Sequence, residues 1–177
     1  MDYGELERDG DRCQLRFVRR LPYAPEKVWR ALTEADGLAA WFPTTIEAEF
    51  AAGATLRFNF RHGEADGFEG AMVACEPAVL LEFAWGPDDY LRFELHPDGD
   101  GTVLTPDGDG TVLTFTDTFT PLGKAARDAA GWHSCFDALE AHLAGTEAPT
   151  ARWAEVHPTY VQRFGPEASV LGPPAGQ

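Results

Sequence analysis

Residues 111–145 read TVLTFTDTFTPLGKAARDAAGWHSCFDALEAHLAG, one periodicity followed by another. In 111–119, Leu113, Phe115 and Phe119 alternate with Thr114, Thr116 and Thr118. That two-residue period predicts a strand with one covered and one wet face. From about 123 to 144 the period changes: Trp132, Phe136, Leu139 and Leu143 fall at i, i+4, i+7 and i+11, one continuous stripe of a helix. Gly145 is suited to end it. A helix of about 22 residues spans roughly 33 Å, long enough to lie across most of a curved sheet and bury its apolar face.

The sequence upstream supplies the rest of that sheet. Segment 13–21 places Cys13, Leu15 and Phe17 on one face, and period-2 segments recur at 45–50, 54–60, 68–76, 79–85 and 90–96. Between the first two strands, Pro25 opens PEKVWRALT, with proline and Glu26 both suited to a helix first turn. A second short helix is predicted over 34–41, ended by Pro43. The fold class is therefore α+β: a curved antiparallel seven-stranded sheet wrapped around a long C-terminal helix, with two short helices after strand 1. After Pro149, Trp153, Val156, Tyr160 and Phe164 are spaced as an amphipathic helix packing back on the body, and Pro158 is expected to break or kink it near His157. The reading gives a domain over 12–165, a flexible N-terminus over 1–11 and a disordered tail over 166–177.

Charge excludes several function classes. The 177 residues carry 14 Lys and Arg against 29 Asp and Glu, a formal charge of −15. Residues 1–30 are close to neutral, and the rest holds nearly all of the excess acid. Such a chain lacks the basic face that nucleic acid or anionic lipid requires, so neither nucleic acid nor membrane is an expected partner. An apolar fraction of 44% is too high for a disordered chain. Cys13, Cys75 and Cys135 are odd in number, far apart and without a CxxC, so neither a disulfide framework nor a zinc site is expected. The opening MDYGELERDGDR has no apolar run like that of a secretion signal, and the expected compartment is the cytoplasm.

PDGDGTVLT at 97–105 is repeated unchanged at 106–114. Asp98, Asp100, Asp107 and Asp109 could offer oxygens to calcium, but the spacing lacks the distal glutamate of a calcium loop. Asp-Gly pairs also form turns. Because nine is odd, absorbing one copy into a strand would turn every later side chain to the opposite face. The extra copy is therefore expected to loop out and bind no ion, leaving 111–119 in phase.

Five stretches together resemble a known family: APEKVWRALTEADGLAAWF at 24–42, GFEGAMVACEP at 67–77, LLEFAW at 80–85, GTVLTFTDTF at 110–119 and GWHSCFDALEAHL at 131–143. Over about residues 12–165 the chain resembles the START-like, birch-pollen-allergen-like (SRPBCC) superfamily with its helix-grip fold. Within it, the chain is similar to bacterial homologues of the activator of heat-shock-protein ATPase. The resemblance implies a cavity between sheet and helix that commonly holds an apolar ligand. Two features depart from the family: the duplication, and Thr116-Asp117-Thr118 where Thr-His-Thr is frequent.

Sequence signatures of catalysis are sparse. There is no GxSxG, HExxH, Walker loop or GxGxxG, and His62, His96, His133, His142 and His157 show no metal-ligand spacing. No cofactor and no metal are expected. Asp117 shares parity with Phe115 and Phe119, so its carboxyl should point under the helix, where a charge needs a partner. His133 is the partner expected. Asp117 then reads as a structural acceptor, a group orienting a ligand, or an acid or base. Trp85, Phe93, Phe115, Trp132 and Phe136 should face inward, as a filled core or as a cavity wall, and Phe58 and Met72 complete the set of cavity candidates. The function that the resemblance implies is binding of a small apolar or amphipathic molecule in that cavity. The alternatives are an enzyme of cyclase, dehydratase or hydrolase type, with Asp117 and His133 moving protons, and an interaction module with an exposed apolar patch. A homodimer is compatible with the reading.

Overall fold

A computed structural model describes residues 3–61, 66–98 and 110–172. Its elements are β1 (Glu5–Asp9), β2 (Arg12–Leu21), α1 (Pro25–Thr33), α2 (Ala35–Trp41), β3 (Thr44–Glu47), β4 (Thr55–Phe60), β5 (Phe68–Glu76), β6 (Leu80–Ala84), β7 (Tyr90–Pro97), β8 (Thr111–Phe119), α3 (Ala125–Ala144) and α4 (Arg152–Phe164). The strands form one antiparallel sheet in the order β1-β2-β8-β7-β6-β5-β4-β3. β2 pairs with β8, the next strand but five in the chain, and the two short helices fill the crossover. α3 lies on the inner face, between the sheet and α4. Its buried residues include Ala129, Ala130, Trp132, His133 and Phe136, because two neighbours cover it. Gly145 ends α3 in the left-handed conformation at φ 68°, which a glycine adopts without strain.

The parity of β8 is as read from the sequence. Leu113, Phe115, Asp117 and Phe119 are buried, and the threonines between them are half-buried. Pro97 pairs with Thr111, and the Asp98 N–H donates to the Gly110 carbonyl at 2.7 Å. The base of the duplication is thus a closed ladder. The looped turn and its lack of an ion concern residues that lie outside the described ones.

Four expectations need correction. The sheet has eight strands where seven were predicted, and the added one, Glu5–Asp9, lies in the segment read as flexible. β1 is a charged edge strand with only Leu6 partly buried, so it lacks the apolar alternation by which a strand is recognised. Its turn is signalled by Gly10, at φ 61° between Asp9 and its partner Arg12. The segment read as a disordered tail is ordered over its first part: Pro166–Ser169 is a 3-10 turn, Ala168 is buried, and the Leu171 N–H donates to the Gly123 carbonyl at 3.0 Å. Pro158 does not break α4, which runs through it. Pro158 and Ala154 one turn earlier are both exposed, so the carbonyl that loses its partner lies on the water-facing side. Finally, the predicted helix from about 123 begins as a separate 3-10 turn, Leu122–Lys124.

A buried polar connection ties these parts together. The Tyr160 hydroxyl accepts the Gly4 N–H at 2.9 Å and lies 2.8 Å from His133 Nδ1. Tyr160→Phe should cost about 1–3 kcal/mol, because it strands a buried donor and a ring nitrogen. Urea unfolding gives the loss, and faster hydrogen exchange at the Gly4 amide would assign it. An unchanged midpoint would show that Gly4 finds another acceptor.

Candidate functional site

The inner face of the sheet and α3 meet in a continuous set of aromatic rings. Phe115 on β8 lies at the centre, with ring centroids 4.9 Å from Phe93, 4.9 Å from Trp132 and 5.0 Å from Phe136. Trp132 continues to Trp85 at 6.1 Å, and Trp85 to Phe58 and Phe68 at 5.0 Å each. The set is buried at Phe58, Phe93, Phe115 and Phe136 and reaches the surface at the half-buried Trp85 and Phe68. Most of these pairs are tilted or edge-to-face, the arrangement ring quadrupoles favour. Met72 is buried in the same core. Trp41, Phe42 and Phe83 also belong to the set, although the sequence reading did not place them there. Phe83 carries the period-2 signal of β6 and Trp41 the helical spacing of α2, whereas Phe42 lies between α2 and β3 and has neither.

Asp117 is the polar group within this apolar surround, 3% exposed. Its Oδ2 accepts the indole N–H of Trp132 at 2.8 Å. Its Oδ1 is buried and has no hydrogen-bond partner among the described residues. Burial foremost, then the nearby Asp128 carboxylate, pushes its pKa up to about 8, against which the Trp132 hydrogen bond works. At neutral pH the group is therefore mostly a neutral acid.

The expected partnership with His133 is absent. Trp132, its neighbour on α3, holds Asp117, while His133 faces α4 and the N-terminal segment. His133 Nδ1 meets Tyr160, and Nε2 lies 3.7 Å from Asp137 and 3.5 Å from Arg152. Burial pushes its pKa down to about 4, against the opposing pull of Asp137. Successive helical residues point about 100° apart, so adjacency to Trp132 gave no shared direction. The two candidate proton carriers do not form a dyad.

A charged rim surrounds Asp117 at the start of α3. Lys124 pairs with Asp89 of the β6–β7 turn, and Arg127 donates to Asp128 at 2.7 Å. Asp128 sits one turn before Trp132 on the same face of α3, a spacing that could have been read from the sequence. Asp89 had no such local signal, since only tertiary folding brings its turn here. The Trp85 N–H donates to the Asp89 carbonyl at 2.8 Å, which fixes this turn against the aromatic set.

Residues 22–144 match the model of the family described as Activator of Hsp90 ATPase homolog 1-like protein. The chain belongs to that family. The match spans α1 to α3, and so contains every aromatic residue of the set and Asp117. Several solved structures share the fold of this chain. A conserved protein of unknown function from Enterococcus faecalis superposes with a TM-score of 0.74 at 18% identity, covering 96% of this chain and 92% of that one. CalU16 from Micromonospora echinospora gives 0.71 at 20% identity, covering 97% and 99%. A Bordetella parapertussis protein gives 0.68 at 26% identity, covering 92% and 91%. A search of curated proteins returned no match. Among the described residues, no helix is long and apolar enough to cross a membrane, and no group of three His, Cys, Asp or Glu side chains is placed to hold a metal ion.

Proposed function

We propose that this chain binds a small apolar or amphipathic molecule between the sheet and α3, beside Trp85 and Trp132, with Asp117 as its polar anchor. One observation carries the reading: a carboxyl oxygen buried among aromatic rings that no described residue satisfies. Leaving such a group unpaired costs about 1–3 kcal/mol, a cost that a ligand with a matching polar group removes. Apolar walls with a few placed polar groups are the usual composition of small-molecule sites. Trp85 and Phe68 are half-buried and form the part of the aromatic set nearest the surface.

A docking role would draw on exposed apolar surface. Among the described residues the exposed large apolar side chains are Val73, Val79, Val170 and Leu171. They lie on β5, in the β5–β6 turn and after the last 3-10 turn. That scatter favours the interior site over a docking face.

The test is titration with the neutral fluorophore N-phenyl-1-naphthylamine. Saturable emission at one site per chain is expected, weakened about tenfold or more by Trp85→Ala through the loss of a stacked ring. Trp85 is only half-buried, so this variant should fold. No saturable signal, or equal affinity in the variant, would remove the reading.

A further inference from the structure

The polar end of this site holds one more carboxyl than basic groups. Three carboxyls, Asp89, Asp117 and Asp128, gather where the β6–β7 turn meets the start of α3, and two basic groups answer them. Lys124 is taken by Asp89 and Arg127 by Asp128. These four side chains are only 13–27% exposed, so solvent screens them weakly. Asp117 is more deeply buried than any of them, and among the described residues no basic group lies within ion-pair distance of it. Its Oδ1 has no partner either. Beside it stands the Trp132 indole, whose N–H edge meets Oδ2, and next to that ring is Trp85, with centroids 6.1 Å apart and planes inclined at 61°. Aromatic rings near a carboxylate suit an organic cation that reaches a ring face, since ring quadrupole and carboxylate then both attract it.

We infer that the ligand is an organic ammonium: an aromatic or apolar body seated against Trp85 and Trp132, carrying a small amine whose N–H meets Oδ1 of Asp117. This rests on the ligand-binding reading above and specifies its chemistry. The ammonium supplies the positive charge that the three carboxyls lack once Asp117 is ionised. The three carboxyls are not placed as a metal site, and the aromatic walls offer no oxygen ligands to a hard cation. The step is a proton exchange. Asp117, neutral when the site is empty at pH 7, ionises as the cation arrives, and its proton leaves to solvent. Asp89 and Lys124 stay paired, as do Asp128 and Arg127, and His133 titrates lower, on the far side of α3.

The experiment compares two probes of one shape, 2-naphthylmethylammonium and 2-naphthalenemethanol, by calorimetric titration of the full chain. At pH 8 the amine should bind at least tenfold more tightly than the alcohol. Its affinity should fall about tenfold per pH unit below 8, with close to one proton released per amine bound, read from the dependence of the heat on the buffer. The alcohol should be insensitive to pH over 6–8. Asp117→Asn keeps the acceptor for Trp132 and should erase the preference for the amine while leaving the alcohol's affinity within about twofold. The pH series needs no variant and stands even if Asp117→Asn folds poorly. An amine that binds no better than the alcohol, a flat pH profile, or a preference that survives Asp117→Asn would overturn the cation assignment and leave the ligand reading in place. Failure of both probes to bind would overturn both.

Discussion

Trp132→Ala is expected to remove about 3–5 kcal/mol of stability through the lost ring alone. The ring touches Phe42, Trp85, Phe115 and Phe136, so its removal opens the centre of the packing between α3 and the sheet. It also takes away the one hydrogen bond that the Asp117 carboxyl receives among the described residues, a further cost of about 1–3 kcal/mol. Together these approach the whole stability of an ordinary domain, about 5–15 kcal/mol. The variant should unfold at low urea or fail to accumulate. Trp132→Phe separates the two contributions. It keeps most of the ring and loses the N–H, so it should cost only the hydrogen-bond share. Equal losses in the two variants would mean that the indole N–H, and not the packing, carries the effect. A loss below about 1 kcal/mol in the alanine variant would show that the ring is not packed as described.

Where local pattern and tertiary demand agree, the sequence is readable. β8 alternates because one face meets α3, and the alternation alone puts Asp117 inward. α3 is legible from the stripe Trp132, Phe136, Leu139 and Leu143, but its second covered side is not. His133 and Ala130 are buried because α4 and the N-terminal segment pack there, and a single-stripe reading assigns them no neighbour. β1 fails the same way in reverse. Its charged side chains carry no pattern, and pairing to β2 together with the Gly4–Tyr160 bond holds it in place. The candidate site divides along this line. The ring set follows from strand and helix periods. In the rim, Asp128 is legible from its spacing to Trp132, whereas the pairing of Asp89 with Lys124 depends on a turn and a helix start meeting, which no period encodes.

Stability should fall as the pH rises from about 6.5 to 8, and Asp117→Asn should abolish most of that fall. Asp117 has a folded pKa of about 8 against 3.8 when unfolded. Between those values the folded chain holds a proton that the unfolded chain has lost. Its contribution is therefore fully present at low pH and is lost as pH rises, at up to about 1.4 kcal/mol per pH unit, until it levels off above 8. Asp128 is shifted upward by burial and acts in the same direction. His133 opposes both. Its folded pKa is about 4 against 6.5 unfolded, so the unfolded chain binds the extra proton and stability is lost as pH falls through that window. His157, also shifted down by burial, adds to it. Above 6.5 the Asp117 term is no longer opposed by the imidazoles, and stability declines with pH. Below 6.5 the imidazoles offset them, and the profile flattens. Asp117→Asn leaves the imidazoles unopposed by that group, so the variant should be nearly flat from 6.5 to 8 and lose stability on acidification towards 4. His133→Gln should do the reverse and steepen the gain in stability on acidification. Urea midpoints at half-unit steps from pH 4 to 8.5 would read all three curves. A wild-type curve that does not fall from 6.5 to 8 would mean that Asp117 ionises in the folded chain as easily as in the unfolded one, and the buried, unpartnered oxygen on which the proposed site rests would have to be solvated.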